Sequence, residues 1–181
     1  MKPDEGGASA LNLRTAGILD ATELSECPGV PSLRRLHQGP VAVIECSEEI
    51  PCNPCEMGCA NGAIEVGHPI TNRPMLKSDQ CKGCGVCIAR CPGLAIFVVD
   101  LSAETEDIVS LPYEMLPVPQ VGEIVDALNR EGDLVGPGKV AQVATSKSND
   151  RTIVVTLAVE KGQGMHVRAL RVGGAEHAQQ R

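Results

Sequence analysis

Cys81-Lys-Gly-Cys84-Gly-Val-Cys87-Ile-Ala-Arg-Cys91-Pro92 is the stretch on which the reading of this chain turns. Its spacing, Cys-x2-Cys-x2-Cys-x3-Cys-Pro, is that of a thiol run that wraps a [4Fe–4S] cluster. A second copy lies upstream: Cys52-Asn-Pro-Cys55-Glu-Met-Gly-Cys59-Ala-Asn-Gly-Ala63-Ile64-Glu-Val66. A shift of 32 residues places Cys52, Cys55 and Cys59 on Cys84, Cys87 and Cys91, then Ala63, Ile64 and Val66 on Ala95, Ile96 and Val98. A duplicated run of this kind points to two clusters close together, and so to the movement of electrons.

Each iron of a cubane needs one thiolate. Three cysteines separated by two residues sit on a tight loop whose backbone N–H groups point inward, hydrogen-bond the sulfurs and offset the negative charge. Gly83 and Gly85 suit such a loop, because glycine permits left-handed dihedrals and close approach of the backbone. Structural zinc sites use well-separated Cys-x2-Cys pairs, which is not this pattern. A disulfide framework fits poorly as well, since nine cysteines is an odd number and the runs are tight. Cys27 lies outside both runs and reads as a buried or incidental thiol.

The Cys81–Pro92 run, with its degenerate partner at Cys46–Cys59, resembles a bacterial-type two-[4Fe–4S] ferredoxin domain over about a third of the chain. The resemblance implies crossed ligation, in which the fourth cysteine of each run serves the other cluster. One cluster would take Cys81, Cys84, Cys87 and Cys59; the other would take Cys52, Cys55 and Cys91. The fourth ligand of the latter is open. The position matching Cys81 is Glu49, and the nearest upstream thiol, Cys46, lies three residues further out. Cys46 is preferred, with Ser47-Glu-Glu-Ile-Pro51 as a longer returning loop, because these clusters normally take thiolate. The alternatives are a [3Fe–4S] cluster on Cys52, Cys55 and Cys91, or a carboxylate ligand from Glu49. Ala60 also departs from the pattern, standing where proline is expected after Cys59.

More widely, Val41-Ala-Val-Ile-Glu-Cys-Ser-Glu-Glu-Ile-Pro-Cys-Asn-Pro-Cys55, followed by Tyr113-Glu-Met-Leu-Pro117 and a β module, resembles the ferredoxin-like subunits of flavin-dependent amino-acid or amine dehydrogenases. Proline and hydroxyproline dehydrogenase assemblies are the examples. That resemblance implies a hetero-oligomer with flavin-containing dehydrogenase subunits, in which this chain relays single electrons to an acceptor and is not itself an enzyme. A free ferredoxin-type carrier and a redox-sensing binding protein are the competing functions.

The fold class expected is α+β: a bacterial dicluster ferredoxin-like domain followed by a small all-β barrel or sandwich module. Residues 1–40 read as an N-terminal tail (1–10) and short helices, 41–101 as the two-cluster domain, 102–120 as a Pro-rich linker and 121–175 as the β module. Asp20-Ala-Thr-Glu23 reads as a capping box opening a short helix, and Pro31–Leu36 as another turn or two whose arginines form a solvated face. Val41–Ile44, Ala63–Val66, Met75–Lys77 and Leu94–Leu101 read as strands, as do Glu123–Leu128, Lys139–Thr145 and Thr152–Glu160, with turn chemistry at Ser146–Asp150.

Composition bounds the partners. One Phe, one Tyr and no Trp leave the core to aliphatic side chains, and a domain of about 60 residues so filled needs a staple such as metal ligation. The net charge is −7, and residues 41–101 hold seven acids against four bases. That balance argues against nucleic acid and permits docking on a basic face of a redox partner. No apolar stretch approaches the ~20 residues of a membrane span, and with no secretory leader in view the expected compartment is cytoplasmic. His37, His68, His166 and His177 are scattered without ligand partners, and no catalytic constellation is evident.

Overall fold

The computed structural model describes residues 13–145, 149 and 151–173. The tail expected at 1–10, most of the turn expected at 146–150, and His177 lie outside the described residues. Among the described residues there are five short helices: α1 (Leu13–Ala16), α2 (Ala21–Ser25) and α3 (Leu33–Leu36) before the first strand, and α4 (Pro54–Met57) and α5 (Val86–Arg90) between later ones. Helices of four or five residues cannot persist on propensity alone and depend on caps and packing. The capping box of α2 is formed as its sequence implies. Asp20 accepts from the Thr22 and Glu23 N–H groups at 2.8 Å, and Glu23 accepts from the Asp20 N–H at 3.0 Å.

The described residues form nine strands, in chain order β1 (Val41–Ile44), β2 (Ile64–Glu65), β3 (Met75–Leu76), β4 (Ile96–Asp100), β5 (Glu106–Tyr113), β6 (Ile124–Leu128), β7 (Leu134–Ala144), β8 (Ile153–Glu160) and β9 (Ala169–Arg171). Seven form one antiparallel sheet in the order β1-β4-β5-β8-β7-β6-β9, and β2 pairs with β3. The expected fold class is therefore corrected. The described chain is mostly antiparallel sheet with a few short helices, not an α+β dicluster ferredoxin-like domain with a β module appended.

The reason lies in β5. Residues 106–113 fall within the stretch expected as a linker, yet Glu-Asp-Ile-Val-Ser-Leu-Pro-Tyr alternates, burying Asp107, Val109, Leu111 and Tyr113. A half-buried period of two is a strand signal. β5 pairs with β4 along one edge and with β8 along the other, from Glu106↔Glu160 to Tyr113↔Ile153, so the sheet runs on without a break.

Both faces of the β1–β4 pair are buried, which explains why these strands are apolar throughout rather than alternating. Val41, Val43, Phe97 and Val99 join the main core with Val109, Leu111, Val140, Val155, Leu157 and Leu170. Ala42, Ile44, Ile96 and Val98 face the other way, onto a second core with Cys55, Ile64, Cys87 and Ile88. The cysteine-bearing segments thus lie on the back of the sheet's end.

The internal repeat is visible in the pairing. A shift of 32 carries Ile44 to Leu76 and Ile64 to Ile96. The observed pairs are Ile44↔Ile96 and Leu76↔Ile64, so each repeat lends one strand to the other. α4 and α5 start 32 residues apart as well, at Pro54 and Val86.

Candidate metal centres

The exchange of strands brings the far end of each cysteine run across to the other. One cavity, of about 220 Å³, is lined by Cys46, Cys52, Cys55 and Cys91. A second, of about 100 Å³, is lined by Cys59, Cys81, Cys84 and Cys87. The structure therefore brings all eight candidate cysteines together in two sets of four. Cys46 stands on the wall of the first cavity, whereas Glu49 is exposed and does not line it. Cys27 is buried and belongs to neither lining. Of the histidines, His37 shares a 2.9 Å hydrogen bond between its Nδ1 and the Leu101 carbonyl oxygen.

Backbone N–H groups point at the sulfurs. Ala63 N–H donates to Cys59 Sγ at 3.3 Å, and its counterpart in the repeat, Ala95 N–H, donates to Cys91 Sγ at 3.4 Å. Ala42 N–H, from β1, donates to Cys81 Sγ at 3.4 Å. Such bonds orient a thiolate and stabilise its charge. The loop between Cys81 and Cys84 is pinned from outside by Arg35. Its guanidinium donates to the carbonyl oxygens of Ser78 (3.0 Å), Gly39 (3.0 Å), Pro40 (3.3 Å) and Cys81 (3.0 Å). The solvated face expected for the α3 arginines is thus corrected at Arg35.

Gly83 is required where it stands. Its φ is +63°, and a Cβ there would lie 2.6 Å from Pro40 Cβ and 2.7 Å from the Pro40 carbonyl oxygen. Gly83→Ala is expected to cost on the order of 1–3 kcal/mol in backbone strain alone. Thermal unfolding of the purified variant checks this, and an unchanged Tm would mean that the loop and Pro40 yield freely.

Burial pushes the Cys55 thiol up to about 11 and the Cys87 thiol up to about 12, and neighbouring sulfurs add to both shifts. Cys46 is raised for the same first reason. Thiols so raised are neutral at pH 7, and four thiolates in an apolar cavity would need compensating positive charge beside them. Among the described residues no group of three or more His, Cys, Asp or Glu side chains is gathered so as to hold a metal ion.

Behind the first cavity is a buried ion group with no local sequence signal. Glu45, the residue before Cys46, accepts from Arg130 Nε at 2.8 Å and from Arg168 Nε at 2.7 Å. These partners lie 85 and 123 residues away in sequence. Burial alone would raise the Glu45 carboxyl, but hydrogen bonds and charge from the two arginines hold it below the usual carboxylate range. Burial pushes Arg168 down to about 10, which leaves it protonated at neutral pH.

No helix among the described residues is long and apolar enough to cross a membrane. No family model matches this chain, and no solved structure matches it. Over 86 residues it is 26% identical to Protein Pixie of Drosophila melanogaster, a match covering 44% of this chain and 14% of that protein. The chain spans a small part of that relative's length, and a likeness so partial assigns no family.

Proposed function

We propose that this chain is an iron–sulfur electron-transfer subunit that relays single electrons between a flavin-bearing dehydrogenase subunit and an acceptor. The observation that carries the reading is the sorting of eight thiols into two cavities of four, each completed by a cysteine from the other repeat. Cys46, Cys52, Cys55 and Cys91 would hold one [4Fe–4S] cluster, and Cys59, Cys81, Cys84 and Cys87 the other. Bound clusters of this type supply one-electron oxidation and reduction at potentials set by their surroundings. The chain's own residues bind through thiolate, orient the sulfurs through the N–H groups of Ala42, Ala63 and Ala95, and keep water out with Ile44, Ile64, Ile96 and Val98. Cys84 is exposed, so the second cavity has one edge at the surface where a donor or acceptor can come close.

The flavin-bearing partner rests on the resemblance of Val41–Cys55 and the segments after it, and the excess of acids in 41–101 suits a basic docking face. All nine cysteines are free of disulfides, which suits the reducing cytoplasm. Anaerobic purification is expected to yield a brown protein with about eight iron atoms per chain and a paramagnetic signal after dithionite. Native co-purification is expected to bring down a flavoprotein. A colourless chain carrying only zinc overturns the proposal.

A further inference from the structure

The two cavities differ in the charge kept out of water beside them. At the first, the Glu45 side chain is 7% exposed, Arg168 4% and Arg130 17%. Arg168 is fixed on every side: Nη1 donates to the carbonyl oxygens of Gly164 and Val167, and the guanidinium lies 4.8 Å from the Phe97 ring centroid. Two guanidinium groups against one carboxylate leave a surplus of one positive charge. Glu45 lines the first cavity with Arg130 and Arg168 behind it; the wall's other charged residue, Glu48, is exposed, and so is Lys82, the charged residue of the second wall. Exposed charges act through water and are screened by salt, whereas buried ones act through a far lower effective dielectric. The buried surplus therefore dominates at the first cavity; beside the second stands Arg35, half-buried, whose guanidinium donates to the Cys81 carbonyl oxygen at 3.0 Å.

We propose, on the reading that both cavities bind clusters, that Arg168 with Arg130 is a positioning pair that raises the potential of the first centre. Positive charge favours the reduced, more negative form of a cluster. The pair thereby biases an electron toward the Cys46, Cys52, Cys55 and Cys91 centre, while exposed Cys84 gives the other centre an edge at the surface. The pair also holds Glu45, and with it the chain leading into Cys46.

The test is a redox titration of the anaerobically purified full chain, followed by electron paramagnetic resonance. Cys46→Ser and Cys84→Ser assign the two signals. Arg168→Gln is expected to shift the partition of an electron away from the first centre by about tenfold, 59 mV for a one-electron couple, with the second centre unmoved. Glu45→Gln removes a negative charge and is expected to shift the first centre the opposite way. Arg168→Lys, which keeps the charge, is expected to restore most of the difference. Should Arg168→Gln fail to fold, Arg130→Gln carries the same expected sign with less packing lost. Opposite signs for the arginine and glutamate variants support charge control. Equal signs, or two intact centres with unmoved potentials, overturn this inference while leaving the iron–sulfur reading in place. Wild-type protein without iron overturns that reading itself.

Discussion

On the iron–sulfur reading, stripping iron from the chain by anaerobic chelation is expected to abolish amide protection over residues 46–92 while β5, β7 and β8 stay protected. The sequence alone suggested that the whole of 41–101 would unfold, but the structure divides that stretch. β1 and β4 place Val41, Val43, Phe97 and Val99 in the core shared with β5 and β8, which needs no metal. Between them the chain has little of its own: α4 of four residues, α5 of five, and a β2–β3 ladder of two pairs. Helices and hairpins so short are marginal in water. Their packing converges on Cys55 and Cys87, whose thiols need a cationic partner to be held as thiolates in an apolar wall. On the proposed reading, metal binding would be folding energy for this segment, as in small metal-stapled units. Hydrogen exchange read by mass spectrometry, on iron-loaded and chelated protein, gives the comparison. Loss spread evenly across the sheet, or no loss between 46 and 92, would refute the division.

Much of this was written locally in the chain, and the part that was not has a common cause. β1, β2, β3 and β4 follow from short apolar runs bounded by turn residues, and α2 from Asp20 and Glu23. The crossed grouping of the eight cysteines was implied by the resemblance to two-cluster ferredoxins, and the cavity linings and the strand exchange between repeats place the cysteines in the same two sets. What could not be read is what depends on distant partners. Pro112, Pro117 and Pro119 made 102–120 look like a linker, although Asp107, Val109, Leu111 and Tyr113 already alternate with exposed or half-buried neighbours. The prolines outweighed the period, and whether β5 was a free segment or a sheet member depended on β8, some 45 residues on. β9, three residues long, has no period to detect. Arg35, Arg130 and Arg168 look like ordinary surface charges in sequence; only their placement against Cys81 and Glu45 gives them a role.

Glu45→Ala is expected to destabilise the protein by roughly 3–5 kcal/mol, the range for removing one member of a buried ion pair. The cost comes from what is left behind rather than from what is lost. Arg168 would remain enclosed and charged, its Nη1 still bonded to Gly164 and Val167 but its Nε without an acceptor. Arg130 would keep only its bond to the Met165 carbonyl. Two like charges, no longer bridged by a carboxylate, would then repel each other in a site water enters poorly. For a chain of this size, at about 2–4 °C per kcal/mol, Tm should fall by on the order of 6–20 °C. A control of matching geometry is available. Glu65 meets Lys77 at 2.7 Å, as close as Glu45 meets Arg168, yet both partners are more than 40% exposed. Exposed pairs contribute about 0–1 kcal/mol, so Glu65→Ala should lower Tm by no more than a few degrees. Both variants are compared with wild type by anaerobic thermal unfolding with iron content matched. A Glu45→Ala loss no larger than that of Glu65→Ala would mean that water reaches the Arg130–Arg168 pair freely, and that the charge beside the first cavity is not buried after all.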